Sequence, residues 1–142
     1  MNKPNIALAR LAVLSCPEIT PEIELSNAIF YDDIDMVIVS LNKGASIRHR
    51  FLNAVIRYIN KLYTNDDIIK LLIQMDANVN IQEPYDKMRG ALHYIVRSGD
   101  NNELLSLLIE NGARIDIRDD YGNTPLHYCT NSNQVEILLN YK

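Results

Sequence analysis

Tryptophan is absent from the chain, and glycine, proline and cysteine are sparse, with five, five and two among 142 residues. So few glycines exclude a collagen-like repeat, and an apolar fraction of 47% excludes a disordered chain. Two cysteines, Cys16 and Cys129, do not make a disulfide framework, so the chain reads as made for a reducing compartment, with Cys129 packed in a core. No apolar run approaches the ~20 residues that a membrane helix needs. Asn5 to Leu14 has about the length of a signal-peptide core. Arg10 interrupts it and no small-residue cleavage site follows, so an amphipathic cap helix is expected over residues 1–16.

Chemistry-bearing patterns are missing too. The chain has no glycine-rich phosphate loop, no serine or cysteine nucleophile motif, and no Cys or His near His49 at zinc spacing. Catalysis, a cofactor and a metal are therefore not expected. The paired acids Asp32-Asp33, Asp66-Asp67 and Asp119-Asp120 each precede a helix or sit at a turn, where caps are wanted. A net charge of −4 argues against nucleic acid as a partner, and Arg48, His49, Arg50, Arg57 and Lys61 read as a solvated face.

What the chain does have is a unit that recurs. In Asp119 to Leu139, the turn Asp119-Asp120-Tyr121-Gly122 is followed by Thr124-Pro125, a capping residue and a proline suited to a first helical position. Leu126 and Cys129 are expected on the inward face of that helix. Asn131-Ser132-Asn133 breaks it, and Val135, Leu138 and Leu139 then share a face of a second helix. Neither helix is long enough to stand alone. Upstream, Gly90-Ala91-Leu92-His93-Tyr94 matches Thr124-Pro125-Leu126-His127-Tyr128 at a spacing of 34. The second half recurs as Glu103 to Ile109, as Asp67 to Ile73, and in looser form from Asp35. Ala45, Ala77 and Ala113 mark the stops, 32 and 36 apart.

This pattern resembles the ankyrin repeat, whose period is about 33 residues with a Thr-Pro-Leu-His signature. The resemblance runs from about Leu25 to Lys142 and is most specific in the last two units. It implies an all-α fold, an α-solenoid of about four repeats with an N-terminal cap helix. The expected repeats are 21–47, 48–80, 81–115 and 116–142, together the domain 21–142. Helices are expected at Pro21–Tyr31, Ile34–Asn42, Arg48–Leu62, Asp66–Gln74, Ala91–Ser98 and Asn102–Glu110. Only eight steps separate Gly44 from Leu52, so the finger there is truncated, whereas the finger from Glu83 to Arg89 is enlarged. Asp76 stands where Gly44 and Gly112 stop other repeats. The resemblance also implies that His93 and His127 hydrogen-bond to the finger and to the motif threonine rather than bind a ligand. Leu25, Ala28, Leu92, Leu107, Leu108, Leu126 and Leu138 are expected to be buried.

The function the resemblance implies is non-catalytic binding of a protein partner, in the cytoplasm or nucleus. The groove candidates are Phe30, Tyr58, Tyr94, Arg97 and Tyr128, aromatic and arginine side chains of the kind binding hot spots favour. The finger candidates are Pro84, Tyr85, Lys87, Arg89, Asp120, Tyr121 and Asn123. Three roles compete: an inhibitor of a signalling protein, as in inhibitor-of-NF-κB-like ankyrin proteins; the substrate-recruiting fragment of an adaptor, as in poxvirus ankyrin proteins with an F-box-like tail; and a passive scaffold. The Asn-, Ile- and Tyr-rich texture looks like ankyrin proteins of poxviruses or intracellular bacteria, which would make the chain a modulator of host signalling. The last helix carries more apolar residues than one inward stripe uses: Val135, Ile137, Leu138, Leu139 and Tyr141. A continuation of the array, a partner or a second copy is expected to cover that end.

Overall fold

A computed structural model describes residues 6–7, 10–11, 18–47, 54–55, 66–99 and 101–141. The chain divides into two compact units, Met1–Ala77 and Asn78–Lys142. The expected helix Arg48–Leu62, Tyr58, His49 and Cys16 lie outside the described residues, apart from Ala54 and Val55, which are helical and buried.

In the first unit, α1 (Pro21–Phe30) and α2 (Ile34–Asn42) form an antiparallel pair, and α3 (Asp67–Gln74) packs against α2. Their ends follow from local chemistry. The Thr20 hydroxyl accepts from the Ile23 amide, with Pro21 at the first helical position. The Asp33 carboxylate accepts from the Met36 amide at the start of α2. Leu25, Ala28, Ile29, Met36 and Val37 form the buried seam between α1 and α2. Two buried acids are neutralised: Lys43 donates to both oxygens of Glu24 at 2.8 Å, and the Arg10 guanidinium pairs with Asp33. Hydrogen bonding to Arg10 holds the Asp33 carboxyl below its usual range. Ile6, Ala7, Arg10 and Leu11 are helical; the rest of the expected cap helix over residues 1–16 lies outside the described residues.

In the second unit, β1 (Gln82–Glu83) and β2 (Arg89–Gly90) pair antiparallel, with Gln82 opposite Gly90 and Glu83 opposite Arg89. This short hairpin is the enlarged finger. It leads into α4 (Ala91–Ser98), which is followed by α5 (Asn102–Glu110), a 3₁₀ turn (Pro125–Tyr128) and α6 (Ser132–Asn140). α5 packs against both α4 and α6. Leu92, Ile95, Val96, Leu104, Leu105, Leu108 and Leu138 make the core. The Asn101 and Asn131 side chains cap α5 and α6. Asp76 takes a left-handed φ of +61°, as Gly44 and Gly112 do at the matching stops.

Four expectations are corrected. Thr124-Pro125 opens a single 3₁₀ turn instead of an α-helix, because Cys129 leaves it in an extended conformation (φ −58°, ψ 135°). Without a continuing helix, Leu126 loses its inward aim and is 40% exposed, and Cys129 is half-buried beside the Pro125 carbonyl rather than in the core. Leu107 is also only half-buried, on the flank of α5, while Leu105 and Leu108 face inward. The end of α6 divides: Leu138 is buried and Leu139 exposed, with Tyr141 donating to Glu110.

Candidate functional site

The second unit brings most of the candidates together around two fingers, the hairpin from Gln82 to Gly90 and the loop from Ile117 to Thr124. Their bases are tied by side-chain amides. Gln82 Nε2 donates to the carbonyls of Met88 and Arg118, both at 2.7 Å. Asn80 donates to the Gly112 carbonyl and accepts from the Arg114 amide. The Asp120 amide donates to the Lys87 carbonyl at 2.9 Å, so the two loops share a backbone hydrogen bond. Each tie satisfies a polar group that would otherwise lie unpaired as the loops meet.

Two acids organise the interior of this frame. Asp119 is buried, and its Oδ1 accepts from the amides of Tyr121 and Asn123, both at 2.9 Å. Its other oxygen accepts from the Tyr128 hydroxyl. Burial alone would raise the Asp119 pKa, but these hydrogen bonds outweigh it and hold the carboxyl below its usual range. Asp86 accepts from Arg89 Nη1 at 2.9 Å and from the Tyr94 hydroxyl at 2.6 Å. Burial and the Asp86 carboxylate push the Tyr94 phenol well above its ordinary range, so it stays a proton donor.

His93 joins the fingers to α4. Its Nδ1 accepts from the Gly90 amide at 3.1 Å, so Nε2 carries the proton and donates to the Asn123 carbonyl at 3.0 Å. The ring is fully buried and meets Tyr128 edge-on at 5.8 Å between centroids. Burial lowers its pKa and keeps it neutral. His127 repeats the first half of this arrangement, with Nδ1 accepting from the Thr124 amide at 3.0 Å and 2.9 Å from the Thr124 hydroxyl. His93 thus makes the bond to the finger that the resemblance implied, with Gly90 in place of the motif threonine, and His127 makes the bond to the motif threonine. Among the described residues no cluster of three His, Cys, Asp or Glu could hold a metal ion, and no helix is long and apolar enough to cross a membrane.

The candidates fall into two sets. Tyr94 was expected on the groove face; it is 7% exposed, and its hydroxyl reaches back to Asp86 in the hairpin. Arg89, Asn123 and Tyr128 are half-buried parts of the same frame. The outward set is Tyr85, 98% exposed, and Tyr121, 62% exposed, with Pro84, Lys87, Arg97 and Asp120. Lys87 Nζ lies 6.0 Å from the Tyr121 ring centroid, and the Arg97 guanidinium 5.7 Å from that of Tyr128. Phe30 is exposed in the first unit, edge-on to Tyr31. Sequence reasoning missed Asp86 and Asp119 as the organising acids. Their signal was present as aspartates eight and nine residues before Tyr94 and Tyr128.

The comparisons agree with this architecture. A family model for ankyrin repeats in three copies matches residues 54–142, more than half of the chain. The ankyrin repeat domain of Bcl-3, described as a unique member of the IkappaB protein family, superposes with a TM-score of 0.68 over 88% of this chain at 22% identity. The chain spans 58% of that domain's length, and the likeness at this identity is one of fold. No curated protein matches the chain by sequence.

Proposed function

This chain belongs to the ankyrin-repeat family, and from that premise we propose that it binds a protein partner through its finger tips and the adjoining groove, without catalysis. Ankyrin repeats are in general protein–protein interaction modules. One observation carries the reading: the fingers hold Tyr85 and Tyr121 out to solvent on a frame whose hydrogen bonds close internally. Rigid, exposed aromatics lose little conformational entropy on binding, which is what makes them effective anchors. Tyr94 and Tyr128 serve as the supports beneath, while Pro84, Lys87, Arg97 and Asp120 complete the contact face; Phe30 and Tyr58 are separate candidates in the earlier repeats.

The same reading divides residues 21–142 into four repeats, at 21–47, 48–80, 81–115 and 116–142, behind an N-terminal cap helix. It places the protein in the cytoplasm, as a modulator of host signalling from a virus or intracellular pathogen; the texture of the sequence supports that role. Recruitment of a substrate to an F-box-type adaptor is the alternative, and a passive scaffold the third. Affinity capture from host-cell lysate followed by mass spectrometry would identify the partner. Binding is then compared for wild type and the double variant Tyr85→Ala, Tyr121→Ala. The reading expects a loss of about tenfold or more. An unchanged Kd in that double variant would rule out the finger tips as the contact.

A further inference from the structure

We infer that the finger surface takes an acidic segment of a protein partner, with a carboxylate seated on Arg97. The inference rests on the interaction reading above and goes beyond it by fixing the charge of the partner.

The cations of the second unit differ in how they are paired. Among its described residues Arg89 is paired with Asp86, Arg114 with Asp116 (3.2 Å), and Arg118 donates to the Gly122 carbonyl. Among the described residues no hydrogen-bond acceptor or ion-pair partner faces the Arg97 or Lys87 side chain. Each lies instead beside a tyrosine ring, Arg97 by Tyr128 and Lys87 by Tyr121. A ring face attracts a cation but accepts none of its N–H groups in a directed bond, so the guanidinium fork of Arg97 stays open to a carboxylate.

The geometry also prepares Arg97 for that role. The Tyr128 ring beneath it is fixed at its hydroxyl by Asp119, with Asn123 Nδ2 at 3.4 Å, and at its edge by His93. A guanidinium resting on a fixed ring loses less freedom on binding than one waving in solvent. Arg89 lies 5.9 Å from the same ring, but its charge is taken up by Asp86. The two described acids that organise the fingers are themselves occupied: Asp86 by Arg89 and Tyr94, Asp119 by Tyr128 and two backbone amides. One exposed carboxylate in these fingers, Asp120, remains open, and it sets the sign of a second test.

The experiment uses the full chain and four fluorescein-labelled probes of equal length: a glutamate-rich, a serine–glycine and a lysine-rich peptide, and a single-stranded oligothymidine. Fluorescence anisotropy is read at low and high salt. The expected result is that the glutamate-rich peptide binds most tightly and weakens with salt. Arg97→Ala should weaken it by about tenfold, while Asp120→Asn should tighten it by removing a like charge. Arg97 is exposed, so an unchanged thermal midpoint confirms that the fold is intact. Preference for the neutral or basic peptide, equal binding of oligothymidine, or indifference to Arg97→Ala would each overturn the inference. The finger-tip reading fails separately, if a captured partner ignores Tyr85→Ala with Tyr121→Ala.

Discussion

Replacing Leu108 by alanine tests the packing of the second unit, and replacing Leu126 tests whether the 3₁₀ turn leaves that leucine in water. Both leucines carry the same side chain, so the transfer term is the same and only the environment differs. Leu108 lies in α5 with none of its surface exposed, between Leu104 and Leu105 on its own helix and the facing helices α4 and α6. Its truncation removes buried methyl groups and leaves a cavity that rigid helices fill only partly, at a cost of roughly 2–5 kcal/mol. Leu126 is 40% exposed on a short 3₁₀ turn, where water replaces the lost contacts and no closed cavity forms. Its truncation should cost about 1 kcal/mol or less. Urea denaturation followed by circular dichroism gives both midpoints, with the slope checked so that a change in midpoint reads as a change in stability. Equal losses for the two variants would refute the account of the 3₁₀ turn. A Leu108→Ala midpoint close to wild type would refute the packing itself.

Stability should fall on acidification in two stages. The His93 contribution is full above the ordinary value of 6.5 and is lost as pH falls through its lower folded value, since protonating Nδ1 breaks the bond from the Gly90 amide. Those of Asp33 and Asp119 are full above 3.8 and are lost lower still; denaturation midpoints and NMR titration of His93 across this range check both stages. Asp76→Gly should raise stability by up to about 1 kcal/mol, because Asp76 holds a left-handed backbone at φ +61° that glycine adopts without strain. Gly99→Ala should do the reverse and lower the melting temperature: φ is +80°, and the added Cβ would lie 3.1 Å from Thr130 Oγ1.

Much of the fold was legible from local signals. Ile34–Asn42, Ala91–Ser98 and Asn102–Glu110 match the bounds read from periodicity and capping residues, since a cap and its amide lie within three positions. The histidine roles were implied by the family resemblance of the two motifs, and the structure adds that each Nδ1 accepts from the amide three residues earlier. The glycine and aspartate stops were readable because a left-handed φ restricts which residues can sit there.

The site depended on partners that periodicity does not supply. Tyr94 and Tyr128 occupy matching positions in the two motifs, yet one is buried and the other half-open. Both hydroxyls are held by an aspartate of the finger before them, Asp86 for Tyr94 and Asp119 for Tyr128, so the difference lies in what packs around each ring. The sequence by itself determined the family pattern, most helix ends and which residues could serve as anchors, because these follow from contacts within a few positions. Only the tertiary structure decided that Leu126 faces water, that Tyr94 belongs to the frame, and that Arg97 lies beside the Tyr128 ring. Burial and ion pairing are set by which loops fold against one another, and that is a property of the assembled chain.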